Sequence, residues 1–472
     1  MASAIVDAVN PVAPSLVSLF DSACALDGDS PAFLCGDFPP REVGLTELRE
    51  NSLAITSELY RRHGLGDDTP GRIGSTSPSA NPPPPSTFAS DNGHFSLPPA
   101  VLLVSGMPSV GEAAAVLACV RLRVPFVPID LVGPNRIGMK RLRGVTGEIG
   151  CSVAVVVVET DENNGKYDCE SEVRERYGTD DDDAGFFSSP AFSTTAGPLL
   201  DQHPAVNLLE RAGVHRHVMI SSYDGRVLNG LGLSDLELPP LTAEETDLSI
   251  LDPLFVLYTS GSTALGDAGE TRVGKAVVQT HGGLINRIRW QWDIFPFAQQ
   301  MKRDLGLVET TELLERDGIA TKNDIVVRRT PLSFVDSMCE IFATLLAGVP
   351  LWLPSPDLLS SQGLVGTVAE AARVRATRIT CLPSQMEQIL SSRKSGVGNH
   401  QDEWPWSTLN LAIVSGEPCP PSLPPLWGKS CEWSIFGKEI VDKSLWTDRD
   451  ISRCVVHGRF HWHGSFWKEW SI

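Results

Sequence analysis

Residues 100–130, AVLLVSGMPSVGEAAAVLACVRLRVPFVPID, constrain the fold more than any other stretch. Two short apolar runs, AVLLVSG (100–106) and VPFVPID (124–130), flank an Ala-rich segment, SVGEAAAVLACVRL (109–122). Strand, helix and strand of these lengths form a βαβ crossover, and a crossover makes its two strands parallel. SVAVVVV (152–158) is apolar without alternation, as a strand covered on both faces should be. The pattern returns downstream: FVDSMCEIFATLLAG is an apolar helix closed by Gly348, VPLWLP follows as a strand, and GLVGTVAEAARVRATRITCLPSQMEQIL gives helix, strand and helix. The fold class is α/β, with open, mostly parallel sheets and helices packed on their faces. Such sheets take ligands at the carboxyl ends of their strands.

With 472 residues the chain can bury a sizeable core in more than one lobe. Its 58 acidic against 39 basic residues, a formal charge of −19, disfavour a nucleic-acid partner, because phosphate backbones are held by clustered Lys and Arg. A small-molecule partner fits better. Asp7 interrupts an N-terminus without a basic region, which argues against a secretory or transit signal. No apolar run reaches the roughly 18 to 20 residues that span a bilayer. The ten cysteines include no C-x-x-C pair, and many sit in apolar runs. They read as buried reduced thiols in a cytoplasmic protein, with no metal site.

Three segments interrupt the ordered blocks. Residues 66–99 are rich in Pro, Ser and Gly, residues 159–200 carry an acidic run, and residues 298–324 are polar with helical spacing. All three read as low-order insertions, the first too poor in apolar residues to order itself and the third a surface insertion. The tail 426–472 packs Trp, His and Cys without a clear period.

LFVLY (254–258) is a strand, and the loop leaving it, TSGSTALGDAGETRVGK, supplies hydroxyls from Thr259, Ser260, Ser262 and Thr263, close backbone approach at Gly261, and a charge at Lys275. Those are the groups a polyphosphate needs. The G-x-x-x-x-G-K-[ST] spacing of a Walker loop is absent.

YTSGST followed by GK resembles the phosphate-loop signature Y-T-S-G-S-T-G-x-P-K-G of the adenylate-forming (AMP-dependent synthetase/ligase) superfamily, which includes acyl-CoA synthetases, luciferases and adenylation domains of non-ribosomal peptide synthetases. Other stretches resemble further motifs in the family's order: VGLTELRENS (43–52), GEAAAVLACVRLRVPFVPID (111–130), SFVDSMCEIFATLLAGVPLWLP (333–354) and LAIVSGEPCP (411–420). NRIRWQWDIFPF (286–297) is most similar to the Ebony type, which joins β-alanine to biogenic amines.

This resemblance covers roughly residues 30–425 and implies the large N-terminal lobe of the adenylate-forming fold, with residues 1–425 as the AMP-binding domain. It implies ATP and Mg²⁺ as cofactors and activation of a small amino or carboxylic acid as an acyl-adenylate, with release of pyrophosphate. A carrier domain or an amine acceptor on a fuller-length protein would take the product. Thr259, Ser260, Gly261, Ser262, Thr263 and Lys275 would hold the phosphates, with Lys275 as the catalytic residue, and Gly416, Glu417 and Pro418 would wall the adenine.

Asp336 is the candidate substrate-binding residue. The family's pattern for α-amino acids is F-D-x-S-x-x-E; here Val335 takes the usual Asp place and Asp336 stands four residues before Glu340. That shift suits an amine set further from the reacting carboxylate, as in β-alanine. Asp336 also suits the plain job of capping a helix that begins at Ser337. Trp290, Trp292 and His281 read as structural residues.

Departures from the signature bear on activity. Eleven residues, including Asp267 and Glu270, separate Thr263 from Lys275, Ala264 follows the Thr, and Gly274 precedes the Lys. Carboxylates near a triphosphate repel it unless the extra chain loops outward. No Y-G-x-T-E motif follows residue 420; IFGKEI (435–440) keeps only Phe436, Gly437 and Glu439 roughly in place. The family's small C-terminal lobe is not recognisable either. The expectation is that the fold survives, with a catalytically incompetent homologue or gene fragment as the alternative to an active ligase.

Overall fold

The computed structural model describes residues 15–36, 38–63, 100–131, 136–160, 203–229, 252–259, 274–300, 323–361, 363–392, 408–409, 411–418, 420, 423 and 455–456. In chain order the elements are α1 (Leu16–Asp27), β1 (Pro31–Cys35), β2 (Arg41–Gly44), α2 (Leu45–His63), β3 (Val101–Val104), α3 (Val110–Arg121), β4 (Phe126–Ile129), α4 (Met139–Ile149), β5 (Val153–Val158), α5 (Pro204–Arg211), β6 (Arg216–Ser221), β7 (Pro253–Tyr258) and β8 (Ala276–Thr280). There follow α6 (His281–Ile294), β9 (Val326–Val327), α7 (Asp336–Leu345), β10 (Leu351–Leu353), α8 (Pro356–Ser361), α9 (Gly363–Arg373), β11 (Arg378–Cys381), α10 (Pro383–Ser392), β12 (Leu411–Val414) and β13 (Val455–Val456).

Two sheets form. One has strand order β6-β5-β3-β4-β7-β8 and is parallel except for the β7–β8 pair; the other runs β13-β12-β11-β9-β10-β1-β2 and is parallel except at its two edges. The predicted βαβ unit is β3-α3-β4, with β3 and β4 in parallel register from Val101–Phe126 to Val104–Ile129. Ser109 caps α3 by accepting from the Glu112 backbone N–H.

Alternation along a strand sorts the layers, since neighbouring side chains point to opposite faces. On β5, Val153, Val155 and Val157 join a central core, while Ala154, Val156 and Val158 join an outer one with α4 and α5. On the second sheet Phe33, Leu351 and Leu353 face the same central core, and Leu34, Val327 and Trp352 face α9 and α10. The result is helices, sheet, helices, sheet, helices. α3 lies in the middle layer with all its residues buried, which is why it is apolar on every side.

Two interruptions are fastened where they leave and rejoin the fold, one at Thr259 and Lys275 and one at Gln299 and Asp324. At Gln299 and Asp324 the Gln299 amide donates to the Asp324 carbonyl at 2.9 Å and accepts from its N–H at 3.0 Å; the Ala298 N–H donates to the Asp324 carboxylate at 2.8 Å. The interiors of all three predicted insertions lie outside the described residues, as does the tail apart from Val455 and Val456. The six described cysteines are free thiols, buried or half-buried. Among the described residues no helix is long and apolar enough to cross a membrane.

Candidate active site

The site is assembled from two groups of residues at strand carboxyl ends. In the six-stranded sheet, β7 ends at Tyr258 and β8 begins at Ala276, and these two residues are register partners in the antiparallel ladder. One residue beyond, the Thr259 N–H donates to the Lys275 carbonyl at 3.0 Å, and the Lys275 N–H donates to the Thr259 hydroxyl at 3.0 Å. Arg141 of α4 donates to the Thr259 carbonyl at 3.0 Å. Gly274 packs so closely that a Cβ there would stand 1.9 Å from that same carbonyl oxygen. The ladder therefore returns Lys275 to Thr259 across the long interruption, and Lys275 is exposed at the neck. Ser260, Gly261, Ser262 and Thr263 lie outside the described residues.

The second group belongs to the seven-stranded sheet. β12 runs into a turn at Ser415, whose N–H donates to the Cys381 carbonyl at the end of β11. Gly416 has φ +83° there, a left-handed conformation that favours glycine, and a Cβ would lie 2.9 Å from Leu382. The Glu417 carboxylate accepts from the Ser384 N–H at 3.2 Å, at the start of α10, and Pro418 is exposed. These residues form a short wall at the strand ends.

Asp336 meets this wall: its carboxylate accepts a hydrogen bond from the Ser415 hydroxyl. The capping role expected for it is corrected by the geometry. α7 begins at Asp336 itself, Val335 occupies the cap position, and no side chain caps the helix. Asp336 instead lines a shallow cleft, open to solvent, between α6, α7 and the strands β9, β11 and β12. Arg287 and Gln291 line it from α6, Cys339, Glu340 and Thr344 from α7, and Arg378 from β11. Among the described residues no hydrogen bond joins the Thr259–Lys275 group to the Asp336–Ser415 group.

Behind the cleft lies a buried ionic cluster. Arg328 bonds Glu112 at 2.5 Å and Glu340 at 2.8 Å, and all three side chains are within 2% of full burial. Ser105 donates to Glu112 at 2.8 Å, and Thr330 donates to Glu340 through both its N–H and its hydroxyl. Two carboxylates thus share one guanidinium. Burial pushes Glu112 up to about 7 against the pull of Arg328, and it pushes Glu340 up as well. The cluster links α3 of one sheet system to α7 of the other. Arg378 is similarly committed, to Asp324 at 2.8 Å and to the Phe295 and Pro296 carbonyls.

His281 starts α6, buried, and burial holds its imidazole down to about 4, followed in effect by the Arg123 charge. It sits beside Asp252, at the end of β7 away from the loop. Trp292 donates to the Ala343 carbonyl at 2.9 Å and Trp290 packs edge-on to Phe295. Sequence reasoning had not singled out Arg287, Gln291 or the Arg328 cluster. The signals were present: Arg287 and Gln291 are spaced four apart on one helical face, and Arg328 is a cation directly after the apolar Ile325–Val327 run.

A family model described as AMP-binding enzyme matches residues 102–432. The chain is 29% identical over 175 residues to a β-alanyl-bioamine non-ribosomal peptide synthetase of Schistosoma mansoni, and 29% identical over 170 residues to the β-alanyl-bioamine non-ribosomal peptide synthetase ebony of Drosophila melanogaster. These matches cover 35% and 36% of this chain, but only 13% and 15% of the relatives' own length. Among solved structures, the AMPPNP-bound form of the non-ribosomal peptide synthetase FmoA3 aligns with a TM-score of 0.52 at 16% identity, covering 91% of this chain and 32% of that one. The ATP-bound RpMatB-BxBclM chimera aligns at 0.50 and 13% identity, covering 88% and 57%. Identities this low speak to the fold alone, which is the N-terminal lobe of the adenylate-forming architecture. With the family model spanning most of its length, the chain belongs to the AMP-binding enzyme family of adenylate-forming proteins.

Proposed function

We propose that the chain activates a small β-amino acid, with β-alanine as the reference substrate, as an acyl-adenylate at the expense of ATP. Asp336 carries this reading. Its carboxylate lines the cleft at the strand ends, one residue later in the chain than the α-amino-acid pattern has it, and no cation pairs with it among the described residues. An ammonium one carbon further from the reacting carboxylate is the group that suits such a displacement.

In the reaction, a carboxylate oxygen of the acid attacks the α-phosphorus of ATP. The bond from that phosphorus to the oxygen bridging to the β-phosphate breaks, and pyrophosphate leaves with the electron pair. The protein's part is to position the reactants and offset charge. Lys275, held beside Thr259, offsets charge on the phosphates together with the loop Ser260–Thr263. Gly416, Glu417 and Pro418 wall the nucleotide base, and Asp336 orients the acid through its ammonium. The described residues group no three metal-ligating side chains. Mg²⁺, when bound with the nucleotide, would offset charge on its phosphate oxygens.

Residues 1–425 form the activating domain in this reading, the tail 426–472 lies outside it, and a carrier domain or amine acceptor takes the acyl group. A second reading, a homologue that binds without catalysing, is favoured by the carboxylates Asp267 and Glu270 in the lengthened loop. ATP–pyrophosphate exchange across β-alanine, α-amino acids and fatty acids separates the two: the second reading gives no exchange with any acid.

A further inference from the structure

The cleft that receives the acid has a second charged pole. Of its charged linings, Glu340 is paired with Arg328 and Arg378 with Asp324. Asp336 and Arg287 are left. Among the described residues no carboxylate pairs with Arg287, whose guanidinium lies over the Trp290 ring, 4.2 Å from its centroid. Both poles flank one thiol: burial pushes Cys339 up to about 12, the Arg287 charge opposes that, and the Asp336 charge adds to it. Yet the two do not form an ion pair with each other. An anionic and a cationic group facing one cleft, each without a charged partner of its own, fit a ligand that carries both charges.

We propose that Arg287 is a specificity residue that receives a second carboxylate, so that the cleft favours a β-amino acid bearing an acidic branch over β-alanine itself. Aspartate presented through its side-chain carboxylate is such a molecule: relative to that carboxylate its ammonium sits where β-alanine's does, and the remaining carboxylate branches from the same carbon. The ammonium meets Asp336 and the branch meets the guanidinium fork, which matches carboxylate geometry with two parallel N–H donors. The inference rests on the Asp336 reading above and deepens it.

Calorimetric titration of the full chain with L-aspartate, β-alanine and 3-aminobutanoate tests it, the last having a methyl group in place of the branching carboxylate. Aspartate should bind about tenfold tighter than the other two, the worth of one charge-assisted contact. Arg287→Gln should abolish that difference, and Arg287→Lys should restore part of the preference. Circular dichroism checks that each variant is folded. Aspartate binding no tighter than 3-aminobutanoate, or a preference that survives Arg287→Gln, overturns the Arg287 role; β-alanine binding that is lost in Asp336→Asn then still upholds the proposed function. Binding of none of the three acids to the folded chain overturns both.

Discussion

The Ser415 hydroxyl donates to the Asp336 carboxylate, tying the turn that follows β12 to the first residue of a helix 79 positions earlier. The bond holds the carboxylate at the cleft wall in one orientation. Replacing Asp336 by Asn keeps the size and removes the charge, so exchange with β-alanine should fall about 10- to 100-fold, the range for a hydrogen bond to a charged group. Ser415→Ala should cost only a few-fold, because it orients the carboxylate and leaves the charge. Equal losses from the two variants would contradict this division of roles.

Arg328 is buried between two carboxylates, so removing it leaves uncompensated charge. Arg328→Met should destabilise the fold by about 3–5 kcal/mol in denaturant unfolding. A loss under about 1 kcal/mol would mean that the cluster is not closed as described.

The same cluster sets a pH dependence. Burial raises the folded Glu112 carboxyl to about 7 from an ordinary 4.5. Between those values the folded state binds more protons than the unfolded one, so stability should fall as pH rises through that window. Glu340 is displaced in the same direction. Buried His281, held down to about 4, pulls the other way below about pH 6.5 in any variant that keeps it, so the Glu112 contribution is read as a difference: the midpoint of the wild type relative to Glu112→Gln should fall as pH rises from about 5 to 7. A difference that grows with pH over that range would contradict the assignment.

Gly274 has no room for a side chain against the Thr259 carbonyl. Gly274→Ala must displace backbone on one side of the neck, which should cost about 1–3 kcal/mol and weaken ATP binding several-fold by moving Lys275. Unchanged stability and ATP affinity would show that the neck yields freely.

Because Thr259 and Lys275 are joined by two hydrogen bonds, the eleven residues between Thr263 and Lys275 add length without setting where the lysine lies. Replacing them with about three glycine-rich residues should alter stability by about 1 kcal/mol or less, the loop-closure difference for that change in length. If Asp267 and Glu270 repel the triphosphate, ATP affinity should rise in the shortened chain. A shortened chain that unfolds would contradict the idea that the neck is self-sufficient.

How much of this was legible in the sequence depends on whether a residue acts locally or across the fold. The β3-α3-β4 unit and β5 are written in runs of apolar residues and in caps such as Ser109, and they form within a residue or two of the expected limits, while α7, α9, β11 and α10 form in the expected order. Asp336 was visible as a displaced carboxylate, but its partner Ser415 was not, since a bond spanning that much chain leaves no local pattern. The capping expectation failed for a similar reason: Val335 adopts helical backbone angles, so the helix reaches back to Asp336 and leaves its side chain for the cleft. Arg328 and Arg287 look alike in sequence, as cations among apolar residues. One is buried between two carboxylates and the other opens on the cleft, a difference that only the packing of α3 and α6 against α7 decides.

Asp336 is proposed to make this chain an activator of β-amino acids. The most direct measurement is ATP–pyrophosphate exchange on the purified chain with β-alanine and with L-alanine, which differ only in where the ammonium stands. Exchange with β-alanine should be at least about tenfold faster than with L-alanine, a difference of roughly 1.4 kcal/mol in transition-state binding, and that difference should be lost in Asp336→Asn. Exchange with L-alanine alone, or a preference unchanged by Asp336→Asn, would contradict it.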